Sequence, residues 1–253
     1  MKTRKRRKRR RKGCLLLTLI LFIPVAFILF FNITNPTIDS FAKIHGLEQT
    51  DWPNELVELL ESNPETKDYV LNYPLDKNED FEIDLSEYLN SDEVPLLLQW
   101  DKRWGYNMYA GELMGLSGCG PTCLSMVSIH LLNDPSISPE YVANFAEDNG
   151  YCMLGNGSTW TLISEGGKEL GLDIRESPFD EETIKENLLY GNPIICIMGP
   201  GHFTSSGHFV VMTEYKNGKV KFNDPNSIFR SEKWWKLSEI EDEVLNLWIC
   251  RGE

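Results

Sequence analysis

Beyond residue 12 the chain is poor in positive charge. Residues 2–12 carry ten of its 25 Lys and Arg with no acid among them, so the remaining 15 bases face 38 acids and leave a net charge of −23. A body so acidic repels a phosphate backbone, which argues against nucleic acid as a partner. Histidine is scarce, at four residues; Cys119 and Cys123, one helical turn apart, are a conceivable metal pair, but no other close Cys/His pair completes a four-ligand site, so no metal is expected. The six cysteines (Cys14, Cys119, Cys123, Cys152, Cys196 and Cys250) match no disulfide spacing, which leaves room for a free thiol with a function. No internal repeat is present.

Charge is missing altogether from residues 14–31, an almost wholly apolar run of 18 residues. As a helix it is about 27 Å long, close to the ~30 Å thickness of a bilayer's hydrocarbon core. Pro24 kinks such a helix without forbidding it. No small-x-small cleavage site follows Phe31, which favours an uncleaved signal anchor over a signal peptide. The basic block then stays in the cytoplasm, and a single-pass protein at the cell membrane holds its acidic body outside. The domain scheme that follows is a basic cytoplasmic tail at 1–13, a transmembrane anchor in the lipid bilayer at 14–31, an acidic stalk at 32–92 and a globular domain at 93–253. Within the stalk, residues 54–62 and 66–73 have helical spacing. A propeptide-like or gating segment is the alternative to a stalk.

In the globular part, apolar runs predict strands at 94–99, 193–198 and 245–250, and a hairpin of 208–215 with 219–223 around Asn217-Gly218. Helices are predicted at 119–132, stopped by Asn133-Asp134-Pro135, at 139–148 behind Ser138-Pro139, at 160–170 and at 181–189. Helices first and antiparallel strands later predict an α+β fold.

The chemistry centres on Gly118-Cys119-Gly120-Pro121-Thr122-Cys123. Cys119 falls at a helix amino end, where unpaired N–H groups and the dipole stabilise a thiolate. Gly118 and Gly120 would leave room for a substrate carbonyl, whereas Cys123, one turn on, reads as core. Gly-His-Phe occurs twice. His208 opens a strand and so has the rigid support a general base needs, while His202 sits in a Gly/Pro/Ser loop. His45 falls in the stalk, and His130 lies more than two turns beyond Cys119.

Asp224 is the candidate to fix the His208 tautomer. A two-residue hairpin loop pairs Val211 with Asp224 and puts Asp224 on the wrong face. A three-residue loop with Gly218 as a left-handed bulge pairs Val210 with Asp224 and makes His208 a diagonal neighbour on the same face. The bulged loop is therefore expected. Gln99 is either an oxyanion donor beside the Cys119 N–H or a structural glutamine; the first role requires residues 105–118 to fold back.

Six blocks then stand in order: Gln99-Trp100-Asp101-Lys102-Arg103-Trp104-Gly105, Ser117-Gly118-Cys119-Gly120-Pro121-Thr122, Gly155-Asn156-Gly157-Ser158-Thr159-Trp160, Gly199-Pro200-Gly201-His202-Phe203-Thr204, Gly207-His208-Phe209 and Asn223-Asp224-Pro225-Asn226-Ser227. Residues 94–250 resemble the bacterial extracytoplasmic cysteine peptidase-like domains related to the leader-processing peptidases of peptide-exporting ABC transporters. The resemblance implies a papain-like fold, a Cys119/His208/Asp224 triad and hydrolysis of a peptide or protein substrate without a cofactor. It does not extend to a double-glycine leader as substrate. The same residue order serves acyl transferases and cell-wall amidases, and a papain-like scaffold can also be a non-catalytic binding domain.

Overall fold

The computed structural model describes residues 37–252. The predicted basic tail and membrane anchor lie outside that range; among the described residues no helix is long and apolar enough to cross a membrane. The described residues divide into two compact units, with the boundary between Pro53 and Asn54. In the described part of the first, helix α1 (Ile38–His45) begins on a Thr37/Ser40 capping box and ends on Gly46 in the left-handed region. The Phe41 ring stacks on His45 at 4.2 Å.

The second unit begins well before residue 93, which corrects the stalk expectation for residues 54–92. Helices α2 (Asn54–Ser62) and α3 (Lys67–Asp76) bury Leu56, Tyr69, Val70 and Leu71 and leave their acids outside. Tyr69 stacks on Tyr106 at 4.6 Å and donates to the Gly105 carbonyl at 2.7 Å, and Tyr106 donates back to the Tyr69 carbonyl at 2.8 Å. Leu85, Ile83 and Tyr88 join the main core. Acidity in this stretch marks the solvent face of packed helices rather than an unpacked spacer.

Next come a small hairpin, β1 (Met108–Tyr109) with β2 (Glu112–Leu113), and a one-turn helix α4 (Met114–Ser117). Helix α5 (Cys119–Leu132) is buried continuously from Gly120 to Ile129, as its all-round apolar sequence requires, and stops on left-handed Asn133. Helix α6 (Pro139–Asp148) is capped by the Ser138 hydroxyl. A second small hairpin follows, β3 (Cys152–Met153) with β4 (Gly157–Ser158), then one π-helical turn, Leu162–Gly166, and a short α7 (Gly167–Glu169).

The main sheet comprises β5 (Leu172–Ser177), β6 (Ile194–Met198), β7 (His208–Lys216), β8 (Lys219–Asn223), β9 (Trp235–Lys236) and β10 (Val244–Gly252), in the order β5-β10-β6-β7-β8-β9 with every pairing antiparallel. Alternating residues divide between two cores. Ile195, Ile197, Phe209, Val211 and Trp248 pack with α5, while Ile194, Cys196, Met198, Val210 and Met212 pack with Ile184 and Leu188 of helix α8 (Glu181–Leu189). This is the expected α+β architecture. Residues 94–99, expected as a strand, form none. Pro95 lacks a ladder donor, the Val94 and Pro95 carbonyls accept from the Asn223 side chain, and the Gln99 N–H goes to the Pro225 carbonyl.

The β7–β8 hairpin reaches its expected register by an unexpected route. Its loop is the plain two-residue Asn217-Gly218, with φ of +52° and +75°, flanked by a Lys216–Lys219 pair. Such a primed turn suits the strand twist, so the expected three-residue loop is wrong. The offset comes from Thr213: the ladder runs Glu214–Lys221, then Met212–Phe222 and Val211–Asn223. One extra residue within β7 performs the shift assigned to the loop, and continuing the ladder sets Val210 opposite Asp224.

Candidate active site

Cys119 is the first residue of α5 and is half-buried. His208 opens β7 against Met198 of β6, and Asp224 directly follows β8 with no exposed surface. The three meet. Nε2 of His208 lies 2.8 Å from Oδ1 of Asp224, which leaves Nδ1 for the hydrogen bond between the imidazole and the Cys119 thiol. His202, the other Gly-His-Phe histidine, is half-exposed and bonded instead to the Glu243 carboxylate.

The electrostatics follow from this placement. Burial disfavours a charged Cys119, but the hydrogen bond and charge of His208, with the N–H groups of Phe209 and Gly120, outweigh it and hold the thiol below the ordinary range. Burial likewise disfavours an imidazolium at His208, yet Asp224 and the Cys119 sulfur push its pKa up to about 10. Asp224 is opposed by burial and held below the usual carboxylate range by His208 and Arg230. Burial raises the other thiols: Cys123 and Cys196 well upward, Cys250 to about 12, and Cys152 more modestly. The arrangement can hold a thiolate–imidazolium pair at neutral pH, which is what nucleophilic attack on a carbonyl requires. Among the described residues no group of three or more His, Cys, Asp or Glu could hold a metal ion.

Gln99 is buried, and its Nε2 donates to the Gly115 carbonyl at 2.9 Å. Residues 105–118 do fold back: the Gly115 N–H reaches the Gly105 carbonyl at 2.9 Å. The glycines flanking Cys119 work differently from the expectation. A Cβ on Gly118 would stand 2.6 Å from the Met114 carbonyl oxygen, and one on Gly120 would overlap the Ser158 Oγ and lie 2.6 Å from its Cβ. Neither leaves room for substrate; both let the protein close around the helix start. Gly120→Ala should therefore destabilise the fold by about 1–3 kcal/mol, read as a lowered urea midpoint. Adding Ser158→Gly should restore much of the loss, and a neutral single substitution would contradict the packing.

Sequence reasoning missed the groups behind Asp224. Ser227 caps helix α9 (Ile228–Ser231). On that turn Arg230 Nε donates to Asp224 Oδ2, and the Ser231 hydroxyl accepts from the Asp224 N–H at 2.9 Å. The Asn226 N–H donates to Asp224 Oδ1 at 2.8 Å. The only signal was a Ser three residues before an Arg, a helix-start pattern with no hint of its target.

A family model described as Peptidase_C39 like matches residues 91–252. The chain belongs to that family. It is accordingly a cysteine-peptidase-type hydrolase of papain-like fold. No curated protein matches it significantly. Among solved structures it is similar to the peptidase domain of Streptococcus ComA, a bifunctional ABC transporter involved in a quorum-sensing pathway, at 21% identity and TM-score 0.44, covering 54% of this chain and 93% of that one. A putative C39-like peptidase from Bacillus anthracis is similar at 16% identity and TM-score 0.43, covering 69% and 99%. A double glycine motif protease from an AMS/PCAT transporter, solved with its leader peptide, is similar at 16% identity and TM-score 0.41, covering 65% and 97%.

Proposed function

We propose that the protein hydrolyses peptide amide bonds with a Cys119/His208/Asp224 triad, on the outer side of a membrane to which residues 14–31 anchor it. The observation that carries the triad is the shared position of three side chains from α5, β7 and the end of β8, with His208 bonded through Nε2 to Asp224 and beside the Cys119 thiol. The Cys119 thiolate attacks the carbonyl carbon, and the imidazolium gives its proton to the leaving amine. Water, deprotonated by the imidazole, then attacks the thioester and returns Cys119 as the leaving thiolate. Asp224 holds the ring and stabilises its charged form. The Cys119 N–H at the helix start and the second Nε2 hydrogen of Gln99 are the donors for the tetrahedral oxyanion. The anchor rests on the uncharged run behind ten basic residues; no ligand beyond the peptide or protein substrate is required.

The test is thiol alkylation of the protein between pH 4 and 9, with the modified site read by mass spectrometry. Cys119 should label fast near pH 6, while Cys152, the other half-buried thiol whose pKa is raised, should label only as the pH climbs. Equal rates for the two would remove the activated nucleophile and leave a binding domain on a peptidase scaffold.

A further inference from the structure

We propose that Glu65, which lies ahead of the family-matched region, is a positioning residue for the Asp224 carboxylate; this rests on the triad reading above. Glu65 follows α2 in the segment that packs on the catalytic body. Its carboxylate accepts from the Ser227 hydroxyl through Oε1 and from the Phe229 N–H at 3.0 Å through Oε2. Those two donors flank the start of α9, the single turn that delivers Arg230 and Ser231 to Asp224. A four-residue helix has no cooperative stability of its own, so its geometry depends on what ties its ends.

Asn63, two residues earlier, takes the other end of the same loop. Its Nδ2 donates to the Asn226 carbonyl at 2.6 Å, which also accepts from Trp100 Nε1 at 3.3 Å. The Asn226 N–H is the one that donates to Asp224. Residues 224–231 are thus clamped from two sides, by Gln99 and Trp100 of the matched region and by Asn63 and Glu65 of the added helices. The segment is itself fixed: Tyr69 is buried and hydrogen-bonded to Gly105. The added helices complete the scaffold that aims Asp224 at His208.

The experiment is the pH profile of Cys119 alkylation in the full chain for wild type, Glu65→Ala, Glu65→Gln and Asn63→Ala, with exposed Glu61→Ala as control. Glu65→Ala should slow labelling at pH 6 by about tenfold, since small misplacements behind a site carry such costs, and should displace the profile upward. Glu65→Gln, which keeps one acceptor, should recover part of the loss, and Glu61→Ala should follow wild type. A purely structural role would open buried Cys196 and Cys250 to the reagent without moving the Cys119 profile. If Glu65→Ala unfolds the chain, Glu65→Gln and Asn63→Ala decide. Unmoved profiles in folded variants would overturn the positioning role while sparing the triad, whereas a wild-type Cys119 with no preference for labelling would take both down.

Discussion

Removing the imidazole in His208→Ala should slow alkylation of Cys119 at pH 6 by roughly ten- to thirtyfold, and the two proteins should converge as the pH approaches 9. His208 supplies a hydrogen bond and a positive charge that outweigh the burial of the thiol. Without them burial prevails, and a thiol with a pKa of at least about 8.5 is under ~1% ionised at pH 6. Loss of thiolate alone would cost about two orders of magnitude. A more basic thiolate is also a better nucleophile, with a Brønsted coefficient near 0.4–0.5, which returns about one order. Peptide hydrolysis should fall further, by at least about 100-fold, because the same imidazole must protonate the leaving amine. An unchanged rate at pH 6 would mean that Cys119 owes nothing to His208.

What could be read in the sequence divides along the range of the interactions involved. Helix α5 was legible because Cys119, Pro121 and Asn133 mark its ends locally and its length is uniformly apolar. His208 and Asp224 were legible because each adjoins a strand with a clear apolar run, and register arithmetic showed that one extra residue in the hairpin would set them on one face. The bulge at Thr213 was not legible: nothing distinguishes a threonine in a strand from one squeezed out of its ladder, and both devices yield the same Val210–Asp224 alignment. Strand β5 was missed although Leu172 and Ile174 alternate with Asp173 and Arg175, since only two apolar residues carry the pattern. Residues 54–92 were misread because an acidic composition describes the solvent face of α2 and α3 and says nothing of Leu56, Tyr69 and Val70 beneath. Glu65, Arg230 and Ser231 lay beyond reach, as their partners stand far off in the chain or across a loop that no periodicity reveals.

The largest combined loss of stability and reactivity is expected from Asp224→Ala. Asp224 has no exposed surface, and its two oxygens face His208 and Arg230. Removing it takes the shared carboxylate from buried His208 and from partly exposed Arg230, at a cost of about 3–5 kcal/mol, and Arg230 already has one buried nitrogen, Nη2, without a partner among the described residues. His208 then loses the interactions that raise its pKa, burial takes over, and the imidazolium that sustains the Cys119 thiolate disappears near neutrality. The sign of the pH dependence follows from the two partners. Asp224 sits below its reference value of 3.8, so its contribution is present above that value and lost as the pH falls through the lower folded one. His208 rises from 6.5 to about 10, so its contribution is full below 6.5 and lost as the pH climbs through about 10. Urea midpoints should therefore separate wild type from Asp224→Ala most widely between about pH 4 and 6.5, and less at pH 10. Asp224→Asn tests the Arg230 half separately: with its oxygen kept toward His208 it turns an amide donor toward another donor, so Arg230→Met should destabilise wild type yet stabilise the Asn variant. If Arg230→Met has the same effect in both backgrounds, the two residues are not coupled and the guanidinium is held by something other than Asp224.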